Sequence, residues 1–127
     1  MRLETIYLKA NTSFSKAIEA WCAANANEVV HTKERYELTI ENYDSLLIIS
    51  ENQSISKENW NLKSLFYQNQ KSTYRIDING TLNVSIVNLK LWLHSNKSKN
   101  LLVVGKDEII KNENLDRFLG KLKELSL

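Results

Sequence analysis

The chain has no proline and only three glycines, Gly80, Gly105 and Gly120, among 127 residues. So little glycine excludes a glycine-rich phosphate cradle after an early strand, because none of the three lies in the first half of the sequence. The missing proline, set beside 15 asparagines, points to an AT-rich genome more than to a function. A single cysteine, Cys22, excludes an intrachain disulfide. It sits between Trp21 and Ala23 in an apolar helical pattern, which reads as a buried structural thiol, since a reactive thiolate needs an electropositive and accessible setting. No Cys/His cluster has zinc spacing, and His31 and His94 read as surface residues. Charge of one sign is also lacking. Net charge is +2 with Lys and Glu mixed along the chain, so no nucleic-acid partner is expected. Lys97, Lys99, Lys121 and Lys123 read as solvated helix ends. No apolar run approaches the roughly 20 residues of a membrane span, so no membrane partner is expected. Glu4 and Lys9 interrupt any signal-peptide core, which makes the cytoplasm the expected location.

What is present is one domain's worth of residues with the apolar and charged fractions of a globular protein, 43% and 25%. Thr5–Leu8 reads as a short buried strand. Asn11, Thr12 and Ser13 are N-cap types, and Phe14, Ala17, Ile18, Trp21 and Cys22 form a helical stripe after them. Glu28–His31 is a short strand. The segment from Thr32 to Tyr43 supports two readings: Tyr36, Leu38 and Ile40 alternate as in a strand, while Thr32, Arg35 and Glu37 suit a helix start. Ser45–Ser50 is a continuous apolar run, the pattern of a central parallel strand covered on both faces. A helix over 56–70 packs Trp60, Leu62, Leu65 and Phe66. A strand follows over 73–78.

Asn79-Gly80 then opens a fork. Between alternating runs it is a strong hairpin signal. Leu82, Ile86, Leu89 and Leu93, with Trp92 beside them, give the spacing of a helix instead, and the pattern alone does not choose. Leu101–Gly105 is the last strand, and the helix over 114–125 turns Leu115, Phe118, Leu119, Leu122 and Leu125 inward. Five β-runs with intervening helices predict one α/β domain over residues 1–127: a Rossmann-like three-layer fold with a mostly parallel, doubly wound sheet of about five strands.

Several segments recur together in a known family. They are Asp44-Ser45-Leu46-Leu47-Ile48-Ile49-Ser50, Ile76-Asp77-Ile78, Trp92-Leu93, Leu101-Leu102-Val103-Val104-Gly105 with Glu108 three residues on, and Phe118-Leu119. In order and spacing the chain resembles the molybdenum carrier family, Rossmann-like proteins grouped with the lysine decarboxylase-like, cytokinin-activating enzymes. The resemblance covers about two-thirds of the chain and favours the helix at the Asn79-Gly80 fork. It implies a ligand site for a nucleotide-like molecule or an oxoanion. The family carries Gly-Gly-Gln-Thr-Gly after its first strand, where this chain has Lys9-Ala10-Asn11-Thr12-Ser13. It carries Thr-Gly-Gly-Thr after the central strand, where this chain has Ile55-Ser56-Lys57-Glu58. The family's Pro-Arg is Lys106-Asp107 here. This is the pattern of a shortened member without the two glycine loops. Side chains in those loops would crowd an anion, and Glu51 and Glu58 add negative charge, partly offset by Lys9, Lys57 and Lys106.

Ligands of open parallel sheets bind at the carboxyl ends of the strands. The candidate ligand-binding residues there are Lys9, Asn11, Thr12, Ser13, Glu51, Asn52, Asp77, Lys106 and Glu108, with Asn79 beside them. No cofactor or metal ligand is identified. Three functions are in contention. The first is a small ligand-binding protein that takes an anionic ligand weakly. The second is a non-catalytic interaction protein, with Trp60, Tyr67 or Trp92 at a homo-oligomer interface. The third is a nucleotide-processing hydrolase using Asp77 with Glu51 or Glu108. An anion bound at the Asn11–Ser13 helix start favours binding; a loop closed over that point favours interaction.

Overall fold

In a strand, successive side chains point to opposite faces, so a run that is apolar at every position needs cover on both sides. β3 (Ser45–Ser50) is such a strand, buried throughout. A computed structural model, describing residues 2–52, 54–107 and 113–124, places it inside a five-stranded, all-parallel sheet of order β2-β1-β5-β3-β4. The other strands are β1 (Leu3–Lys9), β2 (Ala26–Thr32), β4 (Ser72–Asp77) and β5 (Asn100–Val104). Leu47 and Ile49 face a core shared with α1 (Ser13–Asn25), α4 (Leu82–Ser95) and α5 (Glu113–Glu124). Leu46 and Ile48 face a smaller core with Tyr43, Leu62 and Phe66, the latter two on α3 (Lys57–Gln68). The result is the expected three-layer, Rossmann-like α/β fold.

The segment before β3 follows neither reading in full. It forms a four-residue helix, α2 (Tyr36–Thr39), and a single 3₁₀ turn, Ile40–Asn42. A strand would have put Tyr36, Leu38 and Ile40 on one face. Instead Leu38 is 74% exposed, while Tyr36 and Ile40, at helical spacing, pack beside Tyr43. Tyr43 is the anchor: its ring meets Tyr7 edge-on at 4.9 Å and stacks on Phe66 at 6.0 Å, and its carbonyl accepts from the Lys71 ammonium. The next residue, Asp44, ties β3 to β5. Its carboxylate accepts from the N–H groups of Lys99 at 2.8 Å and Asn100 at 2.9 Å.

The fork at Asn79-Gly80 resolves as a turn and then a helix. Gly80 N–H bonds to the Asp77 carbonyl at 3.0 Å, and α4 starts at Leu82. Leu82, Ile86, Leu89 and Leu93 are all buried, each contributing about 1.5–3 kcal/mol; a hairpin would leave that side of the sheet bare. The other side of α4 grips edge strand β4. Trp92 stacks on Tyr74 at 5.4 Å, its indole N–H donates to Ser72 Oγ at 2.8 Å, and the Tyr74 hydroxyl donates to the Ser85 carbonyl at 3.0 Å. Among the described residues no helix is long and apolar enough to cross a membrane.

Candidate functional site

Strands β1 and β5 end side by side, and the chain leaves β1 at Lys9. Asn11 takes a left-handed conformation, φ 63°, and Asn52, after β3, does the same at φ 54°. Asparagine tolerates this region better than most residues. Both loops thus keep a positive-φ residue where glycine would be the usual choice, although none of the described glycines has a positive φ.

Thr12 caps α1: its Oγ1 accepts from Ser15 N–H at 3.1 Å and donates to Ser15 Oγ at 2.8 Å. Ser15 Oγ in turn donates to the Lys9 carbonyl at 2.6 Å. The N–H groups of Ser13 and Phe14 point at the Asp107 carbonyl, at 3.1 and 3.5 Å, and the Ser13 hydroxyl donates to the same oxygen at 3.1 Å. Helix starts offer free N–H groups to anions. At α1 a backbone oxygen of the protein stands in that place. Gly105 lets the segment lie so close: a Cβ there would come 2.6 Å from the Phe14 ring. The buried Asn59 side chain holds the Gly105 carbonyl at 3.2 Å.

Lys9 is compensated in the same way. Its ammonium lies 2.8 Å from Asp107 Oδ2 and 3.2 Å from Glu58 Oε1. The hydrogen bond to Asp107 is the main cause holding its pKa above the usual lysine value, against the opposing effect of burial. These groups are substantially exposed, so the pairs stabilise by no more than about 0–1 kcal/mol. Tyr36 borders the cluster, and burial, helped by the charge of Glu58, keeps its hydroxyl protonated above the ordinary phenol range. Beside it an open groove of about 340 Å³ runs between the segment after β2 and α3, walled by Tyr36, Leu62 and Leu65 with Lys9 and Glu58 at one side.

The remaining candidates form a second group at the ends of β3 and β4. Asp77 Oδ1 accepts from Asn52 N–H at 3.2 Å and Asn79 N–H at 2.9 Å, and the Asn79 amide donates to Asn52 Oδ1. Glu51 bridges to Ser54 across a tight turn. Asp77 thereby pins two loops together. Lys106 is exposed, and Glu108 lies outside the described residues. The structure thus splits the candidates: Lys9, Thr12 and Ser13 belong to the α1 group, Glu51, Asn52 and Asp77 to the β3–β4 group. Asp107, Glu58, Ser15, Asn59 and Tyr36 complete the first group without having been among the candidates. Lys106-Asp107 directly after Gly105, just past the end of β5, is the one signal pointing to that segment. Among the described residues no group of three or more His, Cys, Asp or Glu is placed to hold a metal ion. Burial pushes the Cys22 thiol up to about 12, which keeps it in the unreactive form. No protein-family model matches the chain, and no curated protein matches it.

Proposed function

We propose that this chain is a non-catalytic interaction protein, a Rossmann-like scaffold whose work is done by a helix face and not by the carboxyl edge of its sheet. The observation that carries this reading is the Asp107 carbonyl at the start of α1, bonded to the N–H groups of Ser13 and Phe14. The donors that an anionic ligand needs are already engaged, and Lys9 lies between two carboxylates. Support comes from α4, which carries Val84, Val87 and Leu91 exposed on its outer side.

The test is a thermal-shift panel of AMP, ATP, molybdate and inorganic phosphate. A ligand at about a hundred times its Kd adds about 2.7 kcal/mol, on the order of 10 °C for a chain of this length. The interaction reading predicts no such shift. A second reading is a nucleotide-like or oxoanion ligand bound weakly, as the molybdenum carrier resemblance implies. The groove beside Lys9 favours it. A shift that Lys9→Met removes would establish this second reading and overturn the first.

A further inference from the structure

We propose that Asn79 is a site of self-modification: the Gly80 backbone nitrogen attacks its carboxamide and converts it to a carboxylate, and a clasp between the loops after β3 and β4 gates the reaction. The reaction needs neither ligand nor partner, so it goes beyond the interaction reading. Asparagine is among the thermally labile residues. Its side chain can close a succinimide ring on the nitrogen of the next residue. A Cβ on that next residue hinders the approach, and glycine has none. The chain has 15 asparagines, and Asn79 is the one that precedes a glycine.

The steps balance with water as the only co-reactant. The Gly80 nitrogen bonds to Asn79 Cγ, the Cγ–Nδ2 bond breaks, and ammonia leaves with the proton that Gly80 gave up. Water then opens the cyclic imide. Opening at Cγ gives aspartate. Opening at the backbone carbonyl gives isoaspartate, whose main chain runs through the side chain and is a methylene longer.

The folded turn withholds both reacting groups. Gly80 N–H donates to the Asp77 carbonyl at 3.0 Å, closing a β-turn. Asn79 N–H donates to Asp77 Oδ1 at 2.9 Å, an Asx-turn nested inside it. The Asn79 amide donates to Asn52 Oδ1, which ties the carboxamide to the loop after β3. Asn79 Oδ1 is buried and has no hydrogen-bond partner among the described residues. Attack therefore requires the Asn52–Asn79 bond to break first. Afterwards the clasp cannot re-form: a carboxylate cannot donate to Asn52 Oδ1, and its charge would lie where a buried oxygen lay, close to Asp77. Modification unpins the two loops irreversibly.

The experiment incubates the full chain in mildly alkaline buffer and follows residue 79 by peptide mass mapping, with aspartate and isoaspartate separated chromatographically. The same chain unfolded in guanidinium chloride gives the reference rate. The expected result is conversion at Asn79 ahead of every other asparagine, slower in the folded chain by at least about fivefold, the worth of one ordinary hydrogen bond. Asn52→Gly suits the left-handed φ of 54° at that position and removes the acceptor, so it should raise the folded rate by about fivefold. Asn52→Asp keeps an acceptor and should stay within about twofold of wild type. Melting curves of both variants show that the chain is folded while the rate is read. Asn79→Asp, which copies one product, should melt below wild type. No conversion at Asn79 in the unfolded chain overturns the site. Equal rates in the folded and unfolded wild type, or an Asn52→Gly rate equal to wild type, overturn the clasp as its gate. An unchanged melting temperature for Asn79→Asp overturns the unpinning.

Discussion

At the start of α1, the N–H groups of Ser13, Phe14 and Ser15 and the ammonium of Lys9 all find partners within the protein. Along the outer side of α4, Val84, Val87 and Leu91 are more than half exposed. The first region has the place in the fold where ligands of open parallel sheets bind, yet its donors are engaged. The second has no such standing, yet it leaves apolar surface in water at about 25 cal/mol per Å². The difference teaches that position in a fold and availability for binding are separate properties, and that availability is read from hydrogen bonds and exposure.

The sharpest way to break the comparison is to push the closing segment away from α1. Gly105→Ala puts a methyl 2.6 Å from the buried Phe14 ring, so ring or strand must move, at a cost of about 1–3 kcal/mol. Urea denaturation measures it; a loss within error would show that the Asp107 segment is not held against α1.

Asn11 comes next. Its φ of 63° is strained for a residue with a Cβ and no side-chain hydrogen bond of its own, so Asn11→Ala should cost about 1–2 kcal/mol. Asn11→Gly should be neutral or slightly stabilising. If alanine and glycine behave alike, the left-handed loop is not a constraint on the start of α1.

Lys9→Met gives the smallest effect, about 0–1 kcal/mol at neutral pH, because both ion pairs are exposed. Its pH dependence has a definite sign. A lysine whose pKa is raised on folding contributes stability below its ordinary value of 10.5 and loses it as pH rises through the higher folded value. Wild type and variant should therefore differ most near neutral pH and converge in strong alkali; divergence there would contradict the pairing with Asp107 and Glu58.

Much of the fold was legible in the sequence, because it rests on apolar periodicity. Ser45–Ser50, the α1 stripe and Leu115, Phe118 and Leu122 of α5 are core positions that pattern alone reveals. Thr32–Tyr43 was not legible, since the alternation of Tyr36, Leu38 and Ile40 is broken only by where Tyr43 anchors the chain. The candidate site was legible as a place and not as an arrangement. Strand ends identify Lys9, Thr12 and Ser13, but no spacing in sequence shows that a carbonyl 94 residues from Ser13 would complete the start of α1. Glycine counts pointed to loops without a cradle. Asn11 and Asn52 show that the left-handed backbone is still there; what engages the start of α1 is the Asp107 carbonyl, which takes the N–H groups of Ser13 and Phe14, and Thr12 Oγ1, which takes that of Ser15. The exposed stripe of α4 is not legible in the sequence for a simpler reason: Val84, Val87 and Leu91 are apolar residues within an apolar helix, and only its packing shows which of them face outward.

The most direct test of this account is a ¹H–¹⁵N NMR titration of the full chain with inorganic phosphate, read at the amides of Ser13, Phe14 and Ser15. These N–H groups are already bonded to the Asp107 carbonyl and Thr12 Oγ1, so their resonances should show no saturable change. Saturable downfield shifts confined to those three amides would mean that phosphate displaces Asp107, and that the start of α1 is a working anion site.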